Sequence, residues 1–205
     1  WRSQLVAGNE EYKKRVLKPH PLTDSKYFNK YTSSNDVMHA NDNNGIWGVI
    51  IGNTIWSLVY NDGEPTLGYT QQQRLDTINT LRAEYYKENR TACRIYMFEL
   101  KNLAATANVW VELHGPTLKA ANTRHALPFL KVLGDKHLTD SGNTAHVAIN
   151  LLIDHCIQFT SVLYTAGTFF TPEGLETFSN ATQGIGSTMQ LLRGVAKETK
   201  QLLWH

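Results

Sequence analysis

The sequence predicts a mainly α fold: a single-domain helical bundle, with a small β-hairpin near residues 46–60. Three observations carry this. Apolar residues recur at three- and four-residue steps over most of the 205 positions. The stretch from Tyr69 to His114 contains neither Gly nor Pro. Helix-start signals stand at Thr70-Gln71-Gln72-Gln73, the Thr-x-x-Gln form of a capping box, and at Thr171-Pro172-Glu173, which supplies an N-cap, a first-turn proline and a first-turn acid.

Residues 3 to 17 read as a short helix with Leu5, Tyr12 and Val16 on one face, ended by Lys18-Pro19-His20-Pro21. This makes 1–21 an N-terminal arm and 22–205 the helical core domain. Trp1 to Leu5 holds neither an initiator Met nor an apolar signal core, so a trimmed or mature chain is expected. Residues 22–45 are rich in Ser, Asn, Asp and Lys and are expected to form an irregular loop. From Ile46 to Tyr60 the apolar residues point around the whole helical circle, while Gly52-Asn53 sits where a two-residue hairpin turn would. Helix and hairpin both stay open, the hairpin preferred.

After the turn at 61–65 two helices are expected. The first carries Leu75, Ile78, Leu81 and Tyr85, the second Ile95, Phe98, Leu103, Ala107, Trp110 and Leu113, with the joint at Asn89-Arg90-Thr91. A further stretch from Gly115 to Leu133 should bend or break at Pro128 and end at Gly134. The best amphipathic helix, 143–166, carries Ala148, Leu151, Leu152, His155, Phe159 and Val162 and is expected to be central. A short helix to Phe178, a joint at Gln183-Gly184-Ile185-Gly186 and a last helix from Ser187 complete the series.

Composition limits function only loosely. Hydrophobic residues make up 41% and charged residues 19%, enough apolar surface for a core. The longest apolar stretches are interrupted and fall short of the roughly 20 residues that span a bilayer, so no membrane partner is expected. Cys93 and Cys156 are too few for a disulfide framework or zinc site and are expected to be buried thiols. Asn89-Arg90-Thr91 and Asn180-Ala181-Thr182 match the glycosylation acceptor pattern, a short pattern that does not by itself argue for secretion. An intracellular or virion setting is expected instead. The 21 Thr and 16 Asn nearly equal the 38 charged residues, a polar surface suited to burial against neighbouring subunits as well as to an ordinary globule.

No enzyme motif is found, and neither cofactor nor metal is expected. His146 and Asp154 are eight apart with Asn150 between them, His155 falls on an apolar stripe as a core histidine would, and no Gly-x-Ser-x-Gly elbow occurs. The glycine-rich 183–188 segment lacks the Lys of a phosphate-binding loop, so a joint or a close helix approach is the better reading. The basic residues carry more signal. Arg82, Tyr86, Arg90 and Arg94 recur at four-residue steps, and Lys119, Arg124, Lys131 and Lys136 form a second set. Arginine pairs with phosphate and tyrosine stacks on unpaired bases, so Arg82, Tyr86, Arg90, Arg94, Lys119, Arg124 and Lys131 are the candidate nucleic-acid-binding residues. A solvated face offset by Glu84, Glu88 and Glu99 accounts for the first set equally simply.

The leading expectation is a self-assembling structural protein of coat or nucleocapsid type. Its partners would be copies of itself and single-stranded RNA along the basic strip. The alternative is a helical small-molecule-binding or regulatory module with a pocket of Trp110, Phe159 and Tyr164 around His155. A histidine-dependent enzyme ranks third.

Overall fold

The computed structural model describes residues 45–60, 65–91, 94–103, 111, 113, 120–166, 170–201 and 204. All belong to one compact unit, Met38–His205. The expected arm at 1–21 and loop at 22–44 lie outside the described residues, as do Cys93, Trp110, His114 and Lys119. The fold is mainly α: the described residues form six helices and no strand.

The first helix, α1 (Ile46–Tyr60), replaces the preferred hairpin. Eleven of its fifteen residues are buried, which explains the lack of a one-sided apolar stripe: the helix has no solvent face to mark. Gly52-Asn53 is not a turn. Gly48 and Gly52 let an adjoining backbone segment lie directly on the helix, where Leu113 N–H donates to the Gly48 carbonyl at 3.2 Å. A Cβ on Gly48 would overlap the Leu113 carbonyl oxygen, and one on Gly52 would come within 2.9 Å of Val111 Cγ1. Asn53, fully buried, donates from Nδ2 to the Val49 carbonyl (2.7 Å) and the Val111 carbonyl (3.1 Å). Its Oδ1 accepts from Trp204 N–H at 3.2 Å.

The capping box opens α2 (Gln71–Asn89) as expected: Gln73 N–H donates to Thr70 Oγ1, and Thr70 N–H donates to Gln73 Oε1. The buried Arg74 donates to the carbonyls of Val59 (3.1 Å) and Gly68 (2.9 Å), satisfying an acceptor at the end of α1. At its other end α2 closes with Arg90 in the left-handed conformation, φ 49°.

The helix expected beyond this joint is not continuous. Residues 94–99 are non-helical, and only the single turn α3 (Leu100–Leu103) follows among the described residues. Ile95, Phe98 and Leu103 are buried as their spacing required, but α2 supplies the backbone partners. Asn79 donates to the Phe98 carbonyl (2.9 Å) and accepts from Phe98 N–H (2.8 Å). The Tyr86 hydroxyl accepts from Ile95 N–H (3.4 Å), and Arg82 donates to the Ile95 carbonyl.

Neither Pro128 nor Gly134 interrupts α4 (Ala120–His137). An interior proline costs about 3 kcal/mol, and the flanking Leu127, Phe129, Leu130 and Leu133, all buried, offset it through packing. Gly134 serves as a contact point, where the Asn150 carboxamide of α5 (Thr144–Thr165) lies against its backbone. The Asn150 Nδ2 also donates to the Leu138 carbonyl at 2.8 Å.

The start of α5 falls at the predicted position, where Asn143 is its N-cap, but α5 is not the central helix. Ala148, Leu152, Cys156 and Phe159 are buried, whereas Val147 and Leu151 are about half exposed. The central position belongs to α1, which packs on α2, α3 and α4 and touches α5 through Trp47 edge-on to Phe159, 5.7 Å between ring centres. By length and hydropathy alone α5 suffices to cross a bilayer, contrary to the expectation from interrupted apolar runs. Here it packs between α4 and α6 (Pro172–Glu198) and carries His146, Asp154 and His155.

The last helix, α6, is a single helix of 27 residues with the predicted Thr171 cap and Pro172 start, so the short helix and joint at 183–186 do not occur. Gly184 gives the His155 ring room, since any Cβ there would overlap the imidazole. Close approach of two helices, the other meaning of that glycine, is what the segment provides.

Candidate nucleic-acid interface

The basic strip is divided by the fold. Arg82 and Tyr86 lie on the face of α2 turned toward the 94–98 segment. Arg82 is half-buried under Ile95, and burial lowers its pKa from the usual arginine value. Tyr86 is 2% exposed, with its ring against Tyr85 and Phe129 (centroids 5.6 and 6.3 Å). It cannot stack on a base, which corrects the role expected of it; its work is structural. Arg90 and Arg94 are exposed, and Arg94 Nε donates to the Thr91 carbonyl at 3.1 Å. Lys131 is paired with Asp135 (2.8 Å) and Asp154 (3.0 Å), which raise its pKa and spend its charge inside the α4–α5 contact. Lys119 lies outside the described residues.

Two aromatics that the expected strip did not include, Tyr96 and Tyr164, face solvent beside the remaining arginines. Tyr96 is 60% exposed and Met97 57%, between the inward Ile95 and Phe98. Tyr164, 47% exposed, carries the Arg124 guanidinium over its ring, 3.9 Å from the centroid. The signal for Tyr96 was present: in a non-helical segment with Ile95 and Phe98 turned in, the residues between them are left on the surface.

Thr66, just before α2, is 3.3 Å from His137 at the end of α4, while Tyr85, well along α2, packs on Phe129 at 5.6 Å. Along these two contacts α2 and α4 run in opposite chain directions. Carboxylates are turned elsewhere. Glu84 and Glu88 line a groove between α2 and α4 with Val132 and Lys136, roughly 200° around the helix from Arg82 and Tyr86. Glu99 pairs with Lys101. Among the described residues no carboxylate pairs with Arg90 or Arg94.

No family model, curated protein or solved structure matches the chain. Function is therefore argued from the residues themselves. Among the described residues no three metal-capable side chains gather. The His146 and His155 Nδ1 atoms are buried without a hydrogen-bond partner among the described residues. Of the pocket members expected around His155, Trp110 lies outside the described residues, Phe159 packs between Trp47 and Phe178, and Tyr164 lies on the α4 side of α5.

Cys156 is fully buried, and burial pushes its thiol well above the ordinary 9.0, which disfavours the nucleophilic thiolate. Burial likewise raises Tyr86 and Tyr85 above 10.0. These groups are acids whose folded pKa exceeds the unfolded value. Their stabilising contribution is complete below the unfolded pKa and is lost as pH rises through the folded one. Thermal unfolding followed across alkaline pH should therefore show a midpoint that falls once pH passes 9 to 10, and Cys156→Val should remove the earlier part of the fall.

Proposed function

We propose that this chain is a self-assembling structural protein of the coat or nucleocapsid type that holds single-stranded RNA across one basic, aromatic end. The observations that carry the reading are the exposure of Arg90, Arg94 and Tyr96 at and just after the end of α2, and the seating of Arg124 on the exposed ring of Tyr164. Arginine neutralises phosphates and releases counterions, and exposed aromatic faces stack on bases without regard to sequence. A structural protein that covers a whole strand needs this sequence-tolerant chemistry.

Assembly draws support from apolar side chains left in solvent: Tyr69 (85% exposed), Leu175, Leu191, Val147 and Leu151. Surfaces of this composition lose free energy when covered by a neighbour. Light scattering across protein concentration and salt, with ultraviolet absorbance on the same fractions, tests the proposal. Particle size should grow with concentration, and bound nucleic acid should be shed as salt rises. A particle of single-chain size at every concentration and salt would remove the assembly reading.

A further inference from the structure

Between α4 and α5 lies an open cleft of about 270 Å³. It is lined by the apolar Leu127, Pro128 and Ile157, by His125, and by Arg124, whose guanidinium carbon lies 3.9 Å from the centre of the Tyr164 ring. Thr160 and Ser161 add hydroxyls. Thr160 spends its proton on the Cys156 carbonyl, which leaves its oxygen able to accept. No carboxylate is among the lining residues.

We infer that this cleft takes one base of the bound strand, stacked on the Arg124–Tyr164 pair, with its polar edge on the Ser161 and Thr160 hydroxyls. This inference rests on the RNA reading above and adds a place where a base, not only the backbone, is held. The volume lies just below the range of ordinary ligand pockets, small for a large cofactor and sufficient for one heterocycle. A planar guanidinium on an aromatic ring presents a preassembled stacking surface. The lining favours a base in a strand over a neutral apolar occupant, because Arg124 puts positive charge in the wall and no carboxylate lines the cleft. The Ser161 hydroxyl can donate or accept and the Thr160 oxygen can accept, which suits more than one base edge, so the cleft is sequence-tolerant.

Fluorescence anisotropy with a single-stranded RNA oligonucleotide, and with a matched abasic ribose-phosphate strand, tests this. Tyr164→Leu keeps the apolar bulk and removes the π face; Ser161→Leu fills the cleft from an exposed helical position and guards against misfolding of the first variant. Both variants should bind the base-bearing strand roughly tenfold more weakly, bind the abasic strand as the parent does, and keep the parent's salt dependence. Equal losses on the two strands, or unchanged affinity for the base-bearing strand in both variants, would overturn the cleft and leave RNA binding standing. A parent protein that binds neither strand would overturn both.

Discussion

Asn53→Leu is expected to lower the midpoint of thermal unfolding by on the order of 10 °C. Leucine fits the volume but offers no hydrogen bond, so the Val111 carbonyl and the Trp204 amide lose their partner in a fully buried site. Each buried group left unsatisfied costs about 1–3 kcal/mol, and in a chain of this size each kcal/mol shifts the midpoint by roughly 2–4 °C. The Val49 carbonyl contributes less to the loss, because its regular partner within the helix remains. Calorimetry or urea unfolding gives the value directly. An unchanged midpoint would mean that α1 is not the buried centre of the fold.

The second large effect falls on binding. Replacing Arg90 and Arg94 together by glutamine should weaken single-stranded RNA binding roughly 25-fold near 0.1 M salt and reduce the logarithmic salt slope by about 1.4, taking about 0.7 per phosphate contact for single strands. Both side chains are exposed, so stability should hold; Arg90→Gln keeps the same left-handed backbone requirement as the parent. Tyr96→Ala should act differently, lowering affinity through lost stacking while the salt slope stays as it was. A titration at several salt concentrations separates the two. If the double variant keeps the parent's slope, the strand does not cross this end of the molecule.

What could be read from the sequence follows the range of the interactions. The starts of α2 and α6 were legible because a cap is decided within three or four residues: Thr70 with Gln73, Thr171 with Gly174. Residues 94–99 were not, because the partner that replaces helical bonding at Phe98 is Asn79, 19 positions earlier on another element. Gly184 and Pro128 were misread for a related reason. A glycine that admits His155 and a proline paid for by its buried neighbours look, in isolation, like breaks.

The candidate site divides the same way. Arg90 and Arg94 kept the exposure that their charge implied. The four-residue step that joined Tyr86 to them described a true helical stripe over Arg82 and Tyr86, but it faces the core. Arg124 was legible as a basic residue, while its pairing with Tyr164 depends on the way α4 and α5 meet.

The bond from Trp204 to Asn53 spans 151 positions and reaches the centre of the molecule. During synthesis the buried amide of α1 waits for a partner that the ribosome adds 151 positions later. Contacts of such separation come late and slow the approach to the native state. Until then an almost wholly apolar helix has no finished cover, the condition in which nascent chains recruit chaperones or clump. Premature association is thereby a hazard of chains in which Trp204 has not yet been added.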